Sequence, residues 1–180
     1  VRGSLTFTTA YEYDLAGMDR LPATDSLASV LNSAMVTLDQ EMKNVLAAGA
    51  CAGWAFSPYF VAAILRVPVF SVKMTLDNLE KEGYIVRDND NYRFVHDRVR
   101  ETAYELNPEQ ERLKLHRRSG RLLIGMADDD AGIFHAVEQM NLAIGIISDV
   151  KERTALAVMN LEAGIMSQNK AAFAPALCYL

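Results

Sequence analysis

With 180 residues, 51% of them hydrophobic and 23% charged, and a net charge of −5, the chain has the composition of an ordinary globular protein of one or two small units, able to bury a real core. Its two cysteines, Cys51 and Cys178, lie far apart with no CxxC or metal-ligand spacing. That excludes a sequence-legible zinc site or disulfide framework, and it predicts reduced thiols in a cytoplasmic protein. No signal-peptide pattern opens the chain.

Residues 1–22 read as the ragged end of a larger domain, because Leu5-Thr6-Phe7-Thr8 and Tyr11-Glu12-Tyr13-Asp14 alternate like two short strands with no sheet to join. Leu21 to Asp25 is a turn with cap residues. The apolar positions from 27 to 49 then trace a helical stripe, as one long helix or as two broken near Thr37. Asn44 to Leu65 carries no charge and is long enough to cross a bilayer. Ser57-Pro58 divides it, however, and predicts two shorter buried helices. The second ends before Pro68. Val72, Leu76 and Leu79 mark a third helix, for which Gly83 supplies a left-handed cap. Tyr84 to Arg87 and Tyr92 to Val95 read as a hairpin about the turn Asp88-Asn89-Asp90-Asn91. Three helices followed by a two-stranded wing is the winged-helix order, here over residues 23–106.

At His96-Asp97 the apolar period changes from that of a strand to that of a helix, with apolar residues at 95, 99, 103 and 106. Asp97 suits the helix start and is expected to cap it, since a carboxylate there meets unpaired N–H groups and the positive end of the helix dipole. His96 stands where anions bind. The run Tyr-Arg-Phe-Val-His-Asp-Arg-Val-Arg-Glu-Thr-Ala-Tyr, residues 92–104, resembles the Met-His-Asp signature of STAND-class signalling NTPases. More closely, it resembles the region that follows the AAA-type ATPase module of large multidomain signalling kinases; Val95 takes the place of the methionine. The resemblance implies that His96 reaches the phosphates of ADP bound on an upstream module and holds an off state, with ATP or ADP and Mg belonging to the parent chain. It also implies that residues 1–22 are the tail of that ATPase module.

Beyond Asn107-Pro108 the pattern is all-helical: Glu109 to Met126, Ile133 to Ile147, Val150 to Gln168, and a start at Ala171. Polar turns at Asp128-Asp129-Asp130 and Ser148-Asp149 separate them. Antiparallel helical pairs joined by short turns suggest an α-solenoid over residues 108–180, and Leu156 to Leu180, rich in small residues, is similar to a tetratricopeptide (TPR) unit. The expected fold is thus mainly α, a winged helix followed by TPR-like helical pairs.

Lys114, Arg117, Arg118 and Arg121 share one helix face, either a solvated face or a site for an anion or acidic partner. His116, beside Arg117 and Arg118, offers a rival reading as a phosphotransfer histidine. DNA binding is the third reading, but Asp77, Glu80 and Glu82 outweigh Lys73 and Lys81 on the third helix, and the wing tip adds two more acids. The His96-Asp97 pair is also similar to that of HD phosphohydrolases, which need a further histidine before it; none precedes His96. His135 with Glu138 makes no ligand set, and no Gly-rich phosphate loop occurs. The expectation is a non-enzymatic segment that clamps a nucleotide module and scaffolds protein partners on its helical repeats, with no membrane role and DNA an unfavoured ligand.

Overall fold

The computed structural model describes residues 30–169, apart from positions 32 and 128; the strands expected within residues 1–22 and the helix expected from Ala171 lie outside the described residues. Helical residues 33–36 stop at Thr37, whose N–H and hydroxyl both bond the Ala34 carbonyl, at 3.2 and 2.7 Å. The break near Thr37 is therefore the reading adopted. Asp39 caps helix α1 (Gln40–Ala52), its Oδ1 accepting the Met42 N–H at 2.7 Å. From Val45 to Cys51 every residue of α1 is buried, so its lack of charge reflects a core position. No single described helix is long and apolar enough to cross a membrane.

Ser57 caps α2 (Pro58–Leu65) through the Tyr59 N–H at 3.2 Å, and Arg66, at φ 60°, ends it. Helix α3 (Val69–Lys81) closes as the sequence predicts. Gly83 takes φ 78°, its N–H bonds the Glu80 carbonyl, and the Tyr84 N–H bonds the Leu79 carbonyl at 3.1 Å. A hairpin follows.

Strand β1 (Ala55–Phe56) lies between α1 and α2, and the hairpin comprises β2 (Ile85–Asp88) and β3 (Asn91–Phe94), with Asn89 at φ 55° in the turn. The sheet is antiparallel and three-stranded in the order β1-β3-β2, with Phe56 opposite Tyr92 and Ile85 opposite Phe94. The two-stranded expectation is corrected by β1, which is too short to show an alternation. Phe56 explains why that segment is extended. Its ring packs on Phe94 at 5.3 Å and Tyr92 at 6.5 Å between centroids, and a Cβ on Gly49 would come within 2.8 Å of it. Glycine at 49 is what lets α1 approach the sheet.

Four helices complete the described chain: α4 (Asp97–Glu105), α5 (Glu109–Ile124), α6 (Asp130–Leu142) and α7 (Val150–Asn169), with a 3-10 turn at Ile144–Ile146. Helix α6 starts earlier than the expected Ile133, because Asp129 Oδ1 accepts the Gly132 N–H at 2.7 Å. The whole is mainly helical with one small sheet.

The larger core gathers Leu46, Ile64, Leu76, Leu79, Ile85 and Phe94, all fully buried, with Val99, Ala103 and Leu115. Each such side chain contributes about 1.5–3 kcal/mol of burial free energy. A smaller cluster of Val137, Met140, Ile147 and Leu156 lies between α6 and α7. Helix α5 serves both: Leu115 enters the larger core, while Gly120 lies against Met140, where a Cβ would be 2.5 Å from Cγ. The turn at Asn107-Pro108 thus separates two runs of sequence that share a packed helix.

Candidate functional site

His96 is exposed and is itself the N-cap of α4: its Nδ1 accepts the Arg98 N–H at 3.1 Å. The cap expected of Asp97 falls instead to the histidine, and Asp97 is the first residue within the helix, where its charge still meets the positive end of the dipole. The reason is backbone conformation. His96 has the extended φ and ψ of −155° and 149° that a cap requires. With Nδ1 accepting, the ring proton sits on Nε2, so the exposed residue His96 keeps one hydrogen-bond donor beyond the cap.

Each cation on the basic face of α5 has a partner within the chain, although Lys114 and Arg121 remain about half exposed. Arg117 and Arg121 both grip the carboxylate of Glu152 on α7, Arg117 through Nε at 3.2 Å and through Nη2, Arg121 through Nε and Nη2 at 2.7 and 2.8 Å. The Glu152 side chain is only 12% exposed. Hydrogen bonds from Arg117 and then Arg121 hold its pKa down at about 2. Arg118 Nη1 donates to the Ile64 carbonyl at 3.2 Å, and Lys114 pairs with Glu111 at 2.7 Å. Three of the four cations therefore lock helices together. Glu152 escaped the sequence reading because a glutamate in the first turn of a helix looks like any other.

His116 is 3% exposed, not on a charged surface. Its Nδ1 lies 2.7 Å from Gln139 Oε1 and its Nε2 2.9 Å from the Tyr104 hydroxyl. A carbonyl oxygen can only accept, so Nδ1 donates to it and Nε2 accepts from Tyr104. The amide of Gln139 in turn faces His135 Nε2 at 3.4 Å. Burial pushes the His116 pKa down, which agrees with a neutral ring. Both ring nitrogens are engaged. Neither is free to attack a phosphoryl group.

On α3, Asp77 and Glu80 are occupied by the wing: Arg87 Nη2 reaches Asp77 at 2.5 Å, and the Arg87 N–H donates to Glu80 at 2.8 Å. The acids counted against DNA are thus partly neutralised within the fold. The exposed residues of α3 are Phe70, Met74, Asn78 and Lys81, so its first two turns present two large apolar side chains and its last two polar ones. Among the described residues no group of three or more His, Cys, Asp or Glu could hold a metal ion. Burial raises the Cys51 thiol to about 12, too high for a nucleophile. Comparison with models of known protein families, with curated proteins and with solved structures finds no match to this chain.

Proposed function

We propose that the chain is a regulatory segment of a cytoplasmic signal-transduction NTPase, a winged helix that offers His96 to the phosphates of ADP on a nucleotide module of the same polypeptide. The observation that carries the reading is the cap of α4, which engages Nδ1 of the exposed His96 and leaves its Nε2–H as the donor without a partner in the cap. A donor held rigidly at a strand-to-helix joint suits a phosphate oxygen approaching the same helix end. The order of three helices and a hairpin supports the winged-helix unit, and β1 is a short third strand of its sheet. Successive packed helices α5 to α7 support the TPR-like continuation, on which partner proteins would be scaffolded; an Asn141–Asn160 amide pair joins α6 to α7.

The test is ADP release from the polypeptide that carries the nucleotide module, in wild type, His96→Ala and His96→Ser. Serine keeps the helix cap but cannot reach as far. Release about tenfold faster in both variants, equivalent to about 1.4 kcal/mol, is the expected result. Faster release in His96→Ala alone would assign the effect to the cap, and unchanged release in both would remove His96 from the nucleotide.

A further inference from the structure

A shallow groove runs between the first turn of α1 and the outward side of α3, lined by Asp39, Glu41, Met42, Phe70, Met74 and Asn78. Phe70 and Met74, one turn apart, are 73% and 51% exposed, whereas Phe56, Tyr92 and Phe94 are all buried. Such an opening of large apolar side chains marks a contact surface. The residues along it also carry one sign of charge, with two acids and no cation. Asp39 Oδ1 is committed to the Met42 N–H, and Glu41 Oε1 to the hydroxyls of Ser71 and Thr75 at 2.6 and 2.8 Å. Their other carboxylate oxygens have no hydrogen-bond partner among the described residues. Those hydroxyls also lower the Glu41 pKa, so the acid stays charged.

We propose that this groove docks an amphipathic helix of a partner protein, one that lays an apolar side chain against Met42, Phe70 and Met74 and a lysine or arginine against Asp39 and Glu41. From Phe70 to Asn78 the groove follows about 12 Å of helix, two turns, which suits anchors spaced at i and i+4. The two methionines let it adapt to the anchor's shape. A second copy of this chain is the poorer occupant, because it would bring another chain of net charge −5 against the two acids of the groove. The surface takes the place of base readout on α3 and is independent of His96.

The probe is a short fluorescein-labelled leucine/lysine helix, with a leucine/glutamate helix of the same pattern as control, titrated with the whole chain and followed by anisotropy. Binding is expected for the lysine peptide only, weakened about tenfold or more by Phe70→Ser. Asp39→Asn and Glu41→Gln, which retain the cap and the hydroxyl bonds, should flatten its salt dependence. Equal affinity for the glutamate peptide, or for Phe70→Ser folded as judged by circular dichroism, would overturn the proposal. So would self-association that depends on Phe70 with no peptide binding, which would give the groove to a second copy.

Discussion

Tyr104 and His116 are joined by a hydrogen bond, Oη to Nε2 at 2.9 Å, that ties α4 to α5 beneath the larger core. With Gln139 it forms a directional chain that requires a neutral imidazole. The charged and titratable groups around it are Arg112, which lies over the Tyr104 ring, Glu138 and His135 on α6, and the buried Cys51 of α1.

Burial lowers the folded-state pKa of His116 from 6.5, so the unfolded chain takes up a proton first as the pH falls. The stability this residue contributes is complete above about pH 6.5 and is lost as the pH drops through the lowered folded value. Urea unfolding of wild type and His116→Gln between about pH 5 and 7 should show a steeper loss of stability on acidification in wild type. Equal slopes would mean that His116 does not titrate in this range.

Glu152 behaves in the same sense, but at lower pH. Its pKa is held at about 2 by Arg117 and Arg121, so its contribution is present above the ordinary 4.5 and lost toward 2. At neutral pH, Glu152→Gln should cost about 1.5–3 kcal/mol, the range for a hydrogen bond to a charged group. Arg117→Ala should cost more than Arg121→Ala, because the Arg117 side chain is 25% exposed and that of Arg121 52%. Chemical denaturation of the three variants ranks them.

Gly120 sits where α5 meets α6. Alanine there would bring its Cβ within 2.5 Å of Met140 Cγ and 3.1 Å of the Met140 backbone nitrogen. Gly120→Ala is expected to destabilise by about 1–3 kcal/mol, the usual cost of overpacking. Combined with Met140→Ala, the loss should be smaller than the sum of the single losses, because the new methyl occupies part of the vacated space.

His96→Ala should lower stability by about 1 kcal/mol even where no nucleotide is present, since the ring caps α4. His96→Ser should restore most of that. Thermal unfolding of the two variants separates the capping role from any role toward a phosphate.

The features legible in advance were local ones. The Ser57-Pro58 helix start and the Gly83 cap are each decided within a few residues by hydrogen bonds and φ preferences that travel with the residue type. The hairpin turn at Asn89 is of the same kind. So is the change of period at His96, which placed the candidate residue at the joint of strand and helix.

Choosing His96 over Asp97 as the cap was already beyond the sequence, because both residue types suit a helix start and only the backbone angles separate them. The strand Ala55–Phe56 exists because Phe56 packs against residues of the hairpin some forty positions later. Glu152 is 35 residues from Arg117, and Gln139 is 23 from His116. Composition and periodicity therefore determined which segments are helices and that the chain has a core, while starts such as that of α6 at Asp130 were settled by the cap. Whether a cation faces solvent or a buried carboxylate, and whether a histidine is a surface base or a neutral buried link, was decided by tertiary packing, because burial and distant partners set the cost of every charge.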